Sequence, residues 1–356
     1  MVTDAPWASR TAFVTGHTGF TGSWLALWLQ QLGVRVYGYS LSPPTDPSLF
    51  DIANVSQALQ SDTRGDVRDP VALASALKAA APDIVFHLAA QPLVLESYKT
   101  PLETIATNVM GTANVLDAIR HTDSVQAAIV VTSDKCYDNP SHGQPFQESD
   151  NLGGHDPYSA SKACAELVSA AYRSSFFSSS SGAAVASTRA GNIVGGGDWA
   201  EERLIPDCVR AALLQTPVVL RRPKAVRPWQ HVLDAVKGYL KLGEKLLGND
   251  GKDYAAAWNL GPDAESSLNV AEVAQLITKK LGGSVIEDSA SSTLQEAELL
   301  LLDSSRARSQ LGWLPNWTLA QTLDETAAWY RAWIEEEDMA NFTLAQLARY
   351  TSDELK

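Results

Sequence analysis

Strand-like and helix-like stretches alternate strictly through the first half of the sequence. Three glycines stand between the first such strand and the first such helix, and beyond residue 195 the rhythm loosens into Pro- and Trp-bearing segments between long helices. The alternation predicts an α/β fold, a parallel sheet covered by helices on both faces. The glycines make it a Rossmann-type doubly wound parallel sheet. The loosening predicts a smaller, mostly helical C-terminal domain. The expected division is 1–190, with a returning segment near 229–260, against 191–228 together with 261–356. A chain of 356 residues suits two domains.

The elements follow in order. "TAFVTG" is a short apolar strand and "GSWLALWLQQLG" a helix closing on Gly33. "VRVYGYS" is a second strand. "DPVALASALKAAAP" is a helix entered at Asp69 and stopped before Pro82. "DIVFHLAA" is a third strand, residues 101–122 one long helix, and "AAIVVTS" a fourth strand. "YSASKACAELVSAAYRSSF" is another helix, and "AAVASTRAGNIVG" another strand. The Ser-rich residues 174–182 read as a connector without chemistry.

The formal net charge of −13 argues against nucleic acid and anionic membrane surfaces as partners. Cys136, Cys164 and Cys208 form no Cys-x-x-Cys, so neither a disulfide framework nor a zinc site is indicated, and no metal is expected. The N-terminus has no basic and apolar leader, and no apolar run reaches membrane-spanning length. The expected compartment is the cytoplasm.

"VTGHTGFTGSWLALWL" places Gly16, Gly19 and Gly22 between strand and helix. Such glycines let the backbone approach a pyrophosphate seated at a helix N-terminus, so a dinucleotide is expected there. The acid that usually ends the second strand is missing, and Tyr39 and Ser40 stand there instead. No Arg or Lys is present at that point for a 2′-phosphate either, which tips the reading toward NAD without deciding it. In "GDVRD", Asp66 and Val67 fall where an adenine edge would lie, whereas Asp69 reads as a helix start.

"DPYSASKACAE" holds Tyr158 and Lys162 four residues apart, on one helical face. A phenol with pKa near about 10 is a poor base at neutral pH, and a neighbouring ammonium and a positive nicotinamide would lower it. The fourth strand runs out through Thr132 and Ser133 into Asp134 and Lys135. A Ser133 hydroxyl can share a hydrogen bond with the substrate oxygen that Tyr158 deprotonates. Adjacent Asp134 and Lys135 are, on their own, a common surface ion pair.

Together, "TGHTGFTG", "HLAAQ", "TNVMGT", Ser133 and "YSASK" resemble the extended short-chain dehydrogenase/reductase family. "TSDKCYDN", "GGHDPYSASKACAELV", "RAGNIVGGGDWA", "RLIPD" and "RPWQHVL" resemble its nucleotide-sugar 4,6-dehydratases over nearly the whole chain. The resemblance implies NAD as cofactor, held by the three glycines with Thr18, Phe20, Leu88, Ala89, Ala90, Asn108 and Thr132, and by Tyr158 and Lys162. It implies oxidation at C4 of the sugar, elimination of water across C5 and C6, and return of hydride to C6. Tyr158 and Lys162 would serve the oxidation. Asp134 would be the acid at the C6 oxygen, and Lys135 stands at the position of the C5 base. For those roles Asp134 must be protonated, and Lys135 either neutral or a charged stabiliser of the enolate. The resemblance favours CDP-glucose as substrate, and it suggests a homodimer or dimer of dimers built on the helices at 101–120 and 158–173. Deoxysugar synthesis for surface polysaccharide is the context it implies.

Arg221, Arg222, Lys224 and Arg227 gather within seven residues of an acidic protein. A pyrophosphate needs such a cluster, although a solvated basic loop looks the same. By resemblance Arg227 contacts phosphate, Asn192 touches the pyrophosphate, and Arg203 and Leu204 lie near the nucleotide, with Gln91 at the substrate. Trp199, Trp229 and His231 read equally as core or as pocket wall. The chain departs from the pattern at Leu95 and Glu96, where an Arg is expected, and at residues 295–303, "QEAELLLLD". Those departures leave the nucleotide and sugar open. An epimerase or reductase on the same scaffold, and a non-catalytic NAD-binding regulator, remain the competing readings.

Overall fold

The computed structural model describes residues 6–139, 143–179, 182–263, 266–288 and 299–353. Its centre is a seven-stranded parallel sheet. The strands are β1 (Thr11–Thr15), β2 (Arg35–Ser40), β3 (Ser61–Arg64), β4 (Ile84–His87), β5 (Ala127–Val131), β6 (Ala184–Arg189) and β7 (Ala257–Asn259). Their spatial order is β7-β6-β5-β4-β1-β2-β3. The order therefore reverses between β1 and β4, and the crevice above the carboxyl ends at such a reversal is where these sheets bind ligands.

Alternate residues of each strand face opposite layers. Ala12, Val14, Ile84, Phe86, Ala127 and Ile129 face one side. There they pack on α1 (Phe20–Gln31) and on a helix that returns late in the chain, Val232–Leu247. Phe13, Val85, Ala128, Val130 and Val185 face the other side, with Leu73, Leu77, Val115 and Leu116. Those four leucines and valines come from α2 (Pro70–Ala80) and α3 (Gly111–Arg120). Each such side chain, fully buried, contributes about 1.5–3 kcal/mol.

Local signals explain the helix ends. Asp69 caps α2 by accepting from the Val71 and Ala72 amides, both at 3.0 Å, and Pro70 occupies the first turn. Gly33 takes φ 79°, which ends α1. The long helix expected over 101–122 is continuous from Pro101 to Arg120, with a π turn at Ala106–Met110 leading into α3. α4 (Pro157–Ser175) starts at Asp156, whose carboxylate accepts from the Ser159 amide at 2.8 Å.

Two sheet strands were not in the sequence reading as strands. β3, "SDTR", has no apolar residue and lies at the sheet edge. β7 is three residues long and pairs only with β6. Beyond β6, small strand pairs fold the substrate-side segments back over the sheet: Ile193–Val194 with Gln230–His231, Val226–Pro228 with Ser267–Asn269, and Pro217–Leu220 with Ser284–Glu287. α5 (Leu204–Leu213) packs against Pro217–Leu220, and α6 (Val232–Leu247) continues directly from Gln230–His231. No helix among the described residues is long and apolar enough to cross a membrane.

Candidate active site

The glycine turn after β1 meets the N-terminus of α1 at a cavity of about 430 Å³. Gly16 has φ 77°, and a Cβ there would lie 2.6 Å from the Ala89 amide nitrogen. A Cβ on Gly22 would lie 2.1 Å from the Gly16 carbonyl oxygen. These two glycines let strand, turn and helix close on one another. Gly19 meets nothing nearer than 3.4 Å. α1 has no side-chain cap and no acid in its first turn, so its free amides and positive end face the cavity. That donor set fits a dinucleotide pyrophosphate.

Thr18, Phe20, Asp66, Val67, Leu88, Ala89 and Ala90 line this cavity with the glycines. Ser40, where an acid was missed, shares a 2.8 Å hydrogen bond with Thr18 Oγ1. Arg68 was overlooked in the sequence. It also lines the cavity and forks onto Asp66, with Nε–Oδ2 at 2.8 Å and Nη2–Oδ2 at 2.6 Å. That pairing holds the Asp66 carboxyl below the usual range. Two residues differ from expectation. Asn108 is buried and lines neither cavity: its side chain clamps Gln91, accepting from the amide at 2.8 Å and donating to the carbonyl at 3.0 Å, and donates to Ser161 Oγ at 2.8 Å. Gln91, assigned to the substrate, lines the cofactor-side cavity, and its side chain is held by Thr104 and by the Leu93 amide.

A second cavity of about 520 Å³ adjoins the first, with Thr21, Leu88, Ala90, Pro92, Asp198 and Arg203 in both walls. Thr132, Ser133, Asp134, Lys135, Tyr158 and Lys162 all line it. The first turns of α4 present Tyr158 and Lys162, and Lys162 Nζ donates to the Val131 carbonyl at 3.2 Å, tying helix to strand. Burial pushes Tyr158 up to about 12, against the pull of the Ser133 hydroxyl and Arg203. Burial lowers Lys162 to about 8. Thr132, expected at the cofactor, lines this second cavity, and its hydroxyl donates to Glu166 Oε1 at 2.5 Å.

After β5 the chain turns through a 3-10 segment, Asp134–Cys136, with Ser133 as its cap. Ser133 Oγ accepts from the Lys135 amide at 3.2 Å and donates to Asp134 Oδ1 at 2.9 Å. Asp134 is 1 % exposed, and its Oδ2 has no hydrogen-bond partner. Burial raises its pKa, and the opposing charges of Lys135 and Arg227 and the Ser133 hydrogen bond do not reverse that direction. The surface ion-pair reading fails for Asp134, because it is inside. The same environment favours the protonated acid.

The substrate-side wall holds Asn192, Arg203, Leu204, Arg221, Arg222 and Arg227, but not Lys224. Arg227 is buried and donates to the Val226 carbonyl at 2.9 Å. Arg203 pairs with buried Asp198 at 3.1 Å, and Arg221 approaches Glu202 at 4.0 Å. Asn192 sits at φ 44°, and its buried Nδ2 has no partner. Trp229 is pocket wall on this side and Trp199 on the cofactor side. His231 is core: it lines neither cavity, accepts from the Leu233 amide at 3.2 Å, and burial lowers it to about 3. Of the two departures, Leu95 faces the cavity, while Glu96 turns to Lys99 at 3.3 Å. Residues 295–298 lie outside the described residues, and 299–303 line neither cavity. Among the described residues no cluster of three His, Cys, Asp or Glu could hold a metal ion.

Comparison with known proteins agrees with this geometry. A relative from Salmonella typhimurium, CDP-glucose 4,6-dehydratase, is 43% identical over 97% of this chain and 97% of its own. A dTDP-glucose 4,6-dehydratase from Xanthomonas campestris is 28% identical over 91% of this chain and 95% of its own. Among solved structures, UDP-glucose 4-epimerase from Thermotoga maritima superposes with TM-score 0.77 at 21% identity, over 91% of this chain and 99% of that one. The sequence profile described as GDP-mannose 4,6 dehydratase matches residues 13–326. With a Rossmann-type sheet, a glycine turn, and Tyr158 and Lys162 beside a buried acid, the chain belongs to the GDP-mannose 4,6 dehydratase family of enzymes.

Proposed function

We propose that the enzyme converts CDP-D-glucose to CDP-4-keto-6-deoxy-D-glucose and water with bound NAD. The observation that carries the reading is one cavity holding both an oxidation pair, Tyr158 and Lys162, and a buried acid next to a lysine, Asp134 and Lys135. Oxidation at C4 needs only the first pair; elimination needs an acid and a base besides. The relative at 43% identity supports CDP-glucose as the nucleotide sugar.

When bound, the NAD would supply a hydride acceptor for C4, a hydride donor for C6 and a positive charge beside Tyr158. The glycine turn and the α1 N-terminus would hold its pyrophosphate. Tyr158 takes the C4 hydroxyl proton, with Lys162 and the Ser133 hydroxyl stabilising the phenolate. The new 4-keto group acidifies C5. Asp134 delivers its proton to the departing C6 oxygen. Lys135 has two workable roles: as a neutral amine it removes the C5 proton, and as an ammonium it stabilises the enolate. Arg227, Arg203, Arg221 and Asn192 would bind the pyrophosphate and nucleotide.

We also assign the chain to the cytoplasm, keep the domain division 1–190 with 229–260 against 191–228 with 261–356, and infer a homodimer or dimer of dimers. Exposed Leu102, Ile105, Met110 and Leu167 on the helices at 101–120 and on α4 support the last of these. The test of function is incubation of the pure protein with CDP-glucose. A 4-keto-6-deoxy product without net NADH release is expected. Steady NADH release, or a C4 epimer as sole product, would refute the reading.

A further inference from the structure

The turn carrying Asp134 and Lys135 is a three-residue 3-10 segment, too short to fix its own orientation. It is pinned from outside on both flanks. On the N-terminal flank, Thr132 Oγ1 donates to Glu166 Oε1 at 2.5 Å. On the C-terminal flank, the Tyr137 hydroxyl accepts from Arg189 Nη1 at 2.8 Å and donates to Asn259 Oδ1 at 2.6 Å. Glu166 and Arg189 join the two flanks through a 2.9 Å ion pair whose side chains are 3% and 4% exposed. Ser187 Oγ adds a 2.7 Å hydrogen bond to Glu166 Oε2.

A buried ion pair is weak as a source of stability, since desolvation offsets most of its attraction. What this pair contributes is a fixed position. Glu166 lies on α4 one turn past Lys162 and two past Tyr158, on the same helical face. The helix that aims the oxidation pair at C4 therefore also grips the strand end that aims the elimination pair at C5 and C6.

We propose that Glu166 and Arg189 are positioning residues that lock the Asp134–Lys135 turn to Tyr158 and Lys162, so that elimination is aligned whenever oxidation is. The proposal rests on the dehydratase reading above, and deepens it by naming what couples its two half-sites. Neither residue lines either cavity, so neither acts by touching the substrate.

The experiment is single-turnover kinetics of the NAD-loaded enzyme with CDP-glucose, reading enzyme-bound NADH and final product separately. Glu166→Gln removes the charge facing Arg189 at nearly constant shape, and Tyr137→Phe removes the other flank's hydroxyl. In both, elimination should slow about 100-fold, as expected for an ångström-scale misplacement. C4 oxidation should change by less than about threefold, because Tyr158 and Lys162 keep their places on α4 and Lys162 keeps its bond to the Val131 carbonyl. Bound NADH should then accumulate above its level in the unaltered enzyme. A merely structural role would lower both phases together, in proportion to folded protein, and would overturn the proposal. So would an unchanged balance of phases in both variants. If Glu166→Gln fails to fold, Tyr137→Phe alone decides. No product from the unaltered enzyme overturns the functional reading and this inference with it; product with unchanged balance in the variants overturns this inference alone.

Discussion

Gly191 stands just past the end of β6, and the carboxyl of Asp134 fills the space its missing side chain leaves. A Cβ built on Gly191 would lie 1.7 Å from Asp134 Oδ2 and 2.2 Å from its Cγ. Real Cβ atoms do not come within 3.0 Å of such neighbours, so Gly191→Ala forces the carboxyl back by more than an ångström or shifts the strand end. Overpacking of this kind costs about 1–3 kcal/mol of stability. A displacement of about an ångström costs about 100-fold in rate, or about 2.7 kcal/mol of barrier. The loss should fall on elimination, since the proposed mechanism gives Asp134 no proton transfer in C4 oxidation. The assay is the NADH and product time course of a single turnover, alongside thermal unfolding. Bound NADH should build up and persist, with the unfolding temperature down by a few degrees. Turnover within about threefold of the unaltered enzyme would refute both the placement of the carboxyl and its role as acid.

Three further predictions follow from the same site. Tyr158→Phe should lower C4 oxidation about 10²–10⁴-fold, measured as the rate of bound NADH formation, and normal turnover would overturn the assignment of the base. Asp134→Asn should stall elimination and flatten the dependence of stability on pH. Burial raises the Asp134 pKa, so its contribution to stability is complete below the unfolded carboxylate value of about 3.9 and is lost as pH rises through the folded value. The variant cannot ionise, so its unfolding temperature at neutral pH should exceed that of the unaltered protein; parallel curves across pH would contradict the buried, protonated acid. Arg227→Met should raise KM for the nucleotide sugar about 10–100-fold with a smaller change in kcat, the effect of one lost charge-assisted hydrogen bond to phosphate. An unchanged KM would remove Arg227 from the pyrophosphate site.

The parts of this molecule that obey short-range rules were legible in the sequence. The glycine turn, the Tyr158–Lys162 spacing and the Asp69 cap each rest on contacts within a few residues, and each lies where its pattern implies. β3 was missed because "SDTR" carries no apolar signal; an edge strand paired on one side needs none. Arg68 was two residues from a chosen residue, but its value depends on forking back onto Asp66, which a linear reading does not show. Asn108 and Thr132 were assigned to the cofactor by pattern, yet their polar atoms turn inward to brace Gln91, Ser161 and Glu166. Gly191 and Asp134 are far apart in sequence, so a missing methyl in one and an acid in the other had no common signal. The tryptophans were ambiguous because large aromatic residues serve walls and cores alike, and only the packing separates Trp229 and Trp199 from His231.

The adjacency of Asp134 and Lys135 now has a physical account. On a surface the two charges would neutralise each other and leave neither free for proton transfer. Here the turn separates their environments: Asp134 is buried against Gly191 with one oxygen unpartnered, while Lys135 is only partly buried at the cavity wall. Burial opposes ionisation of the carboxyl more than the neighbouring lysine favours it, which moves the aspartate toward its protonated form. A carboxylic acid kept neutral in this way can donate to a leaving oxygen at neutral pH. Lys135 lines the same cavity and is only partly buried, so its nitrogen can serve C5 or its charge the enolate. Adjacent residues of opposite type can thus serve two ends of one elimination because burial, not sequence distance, gives them different environments.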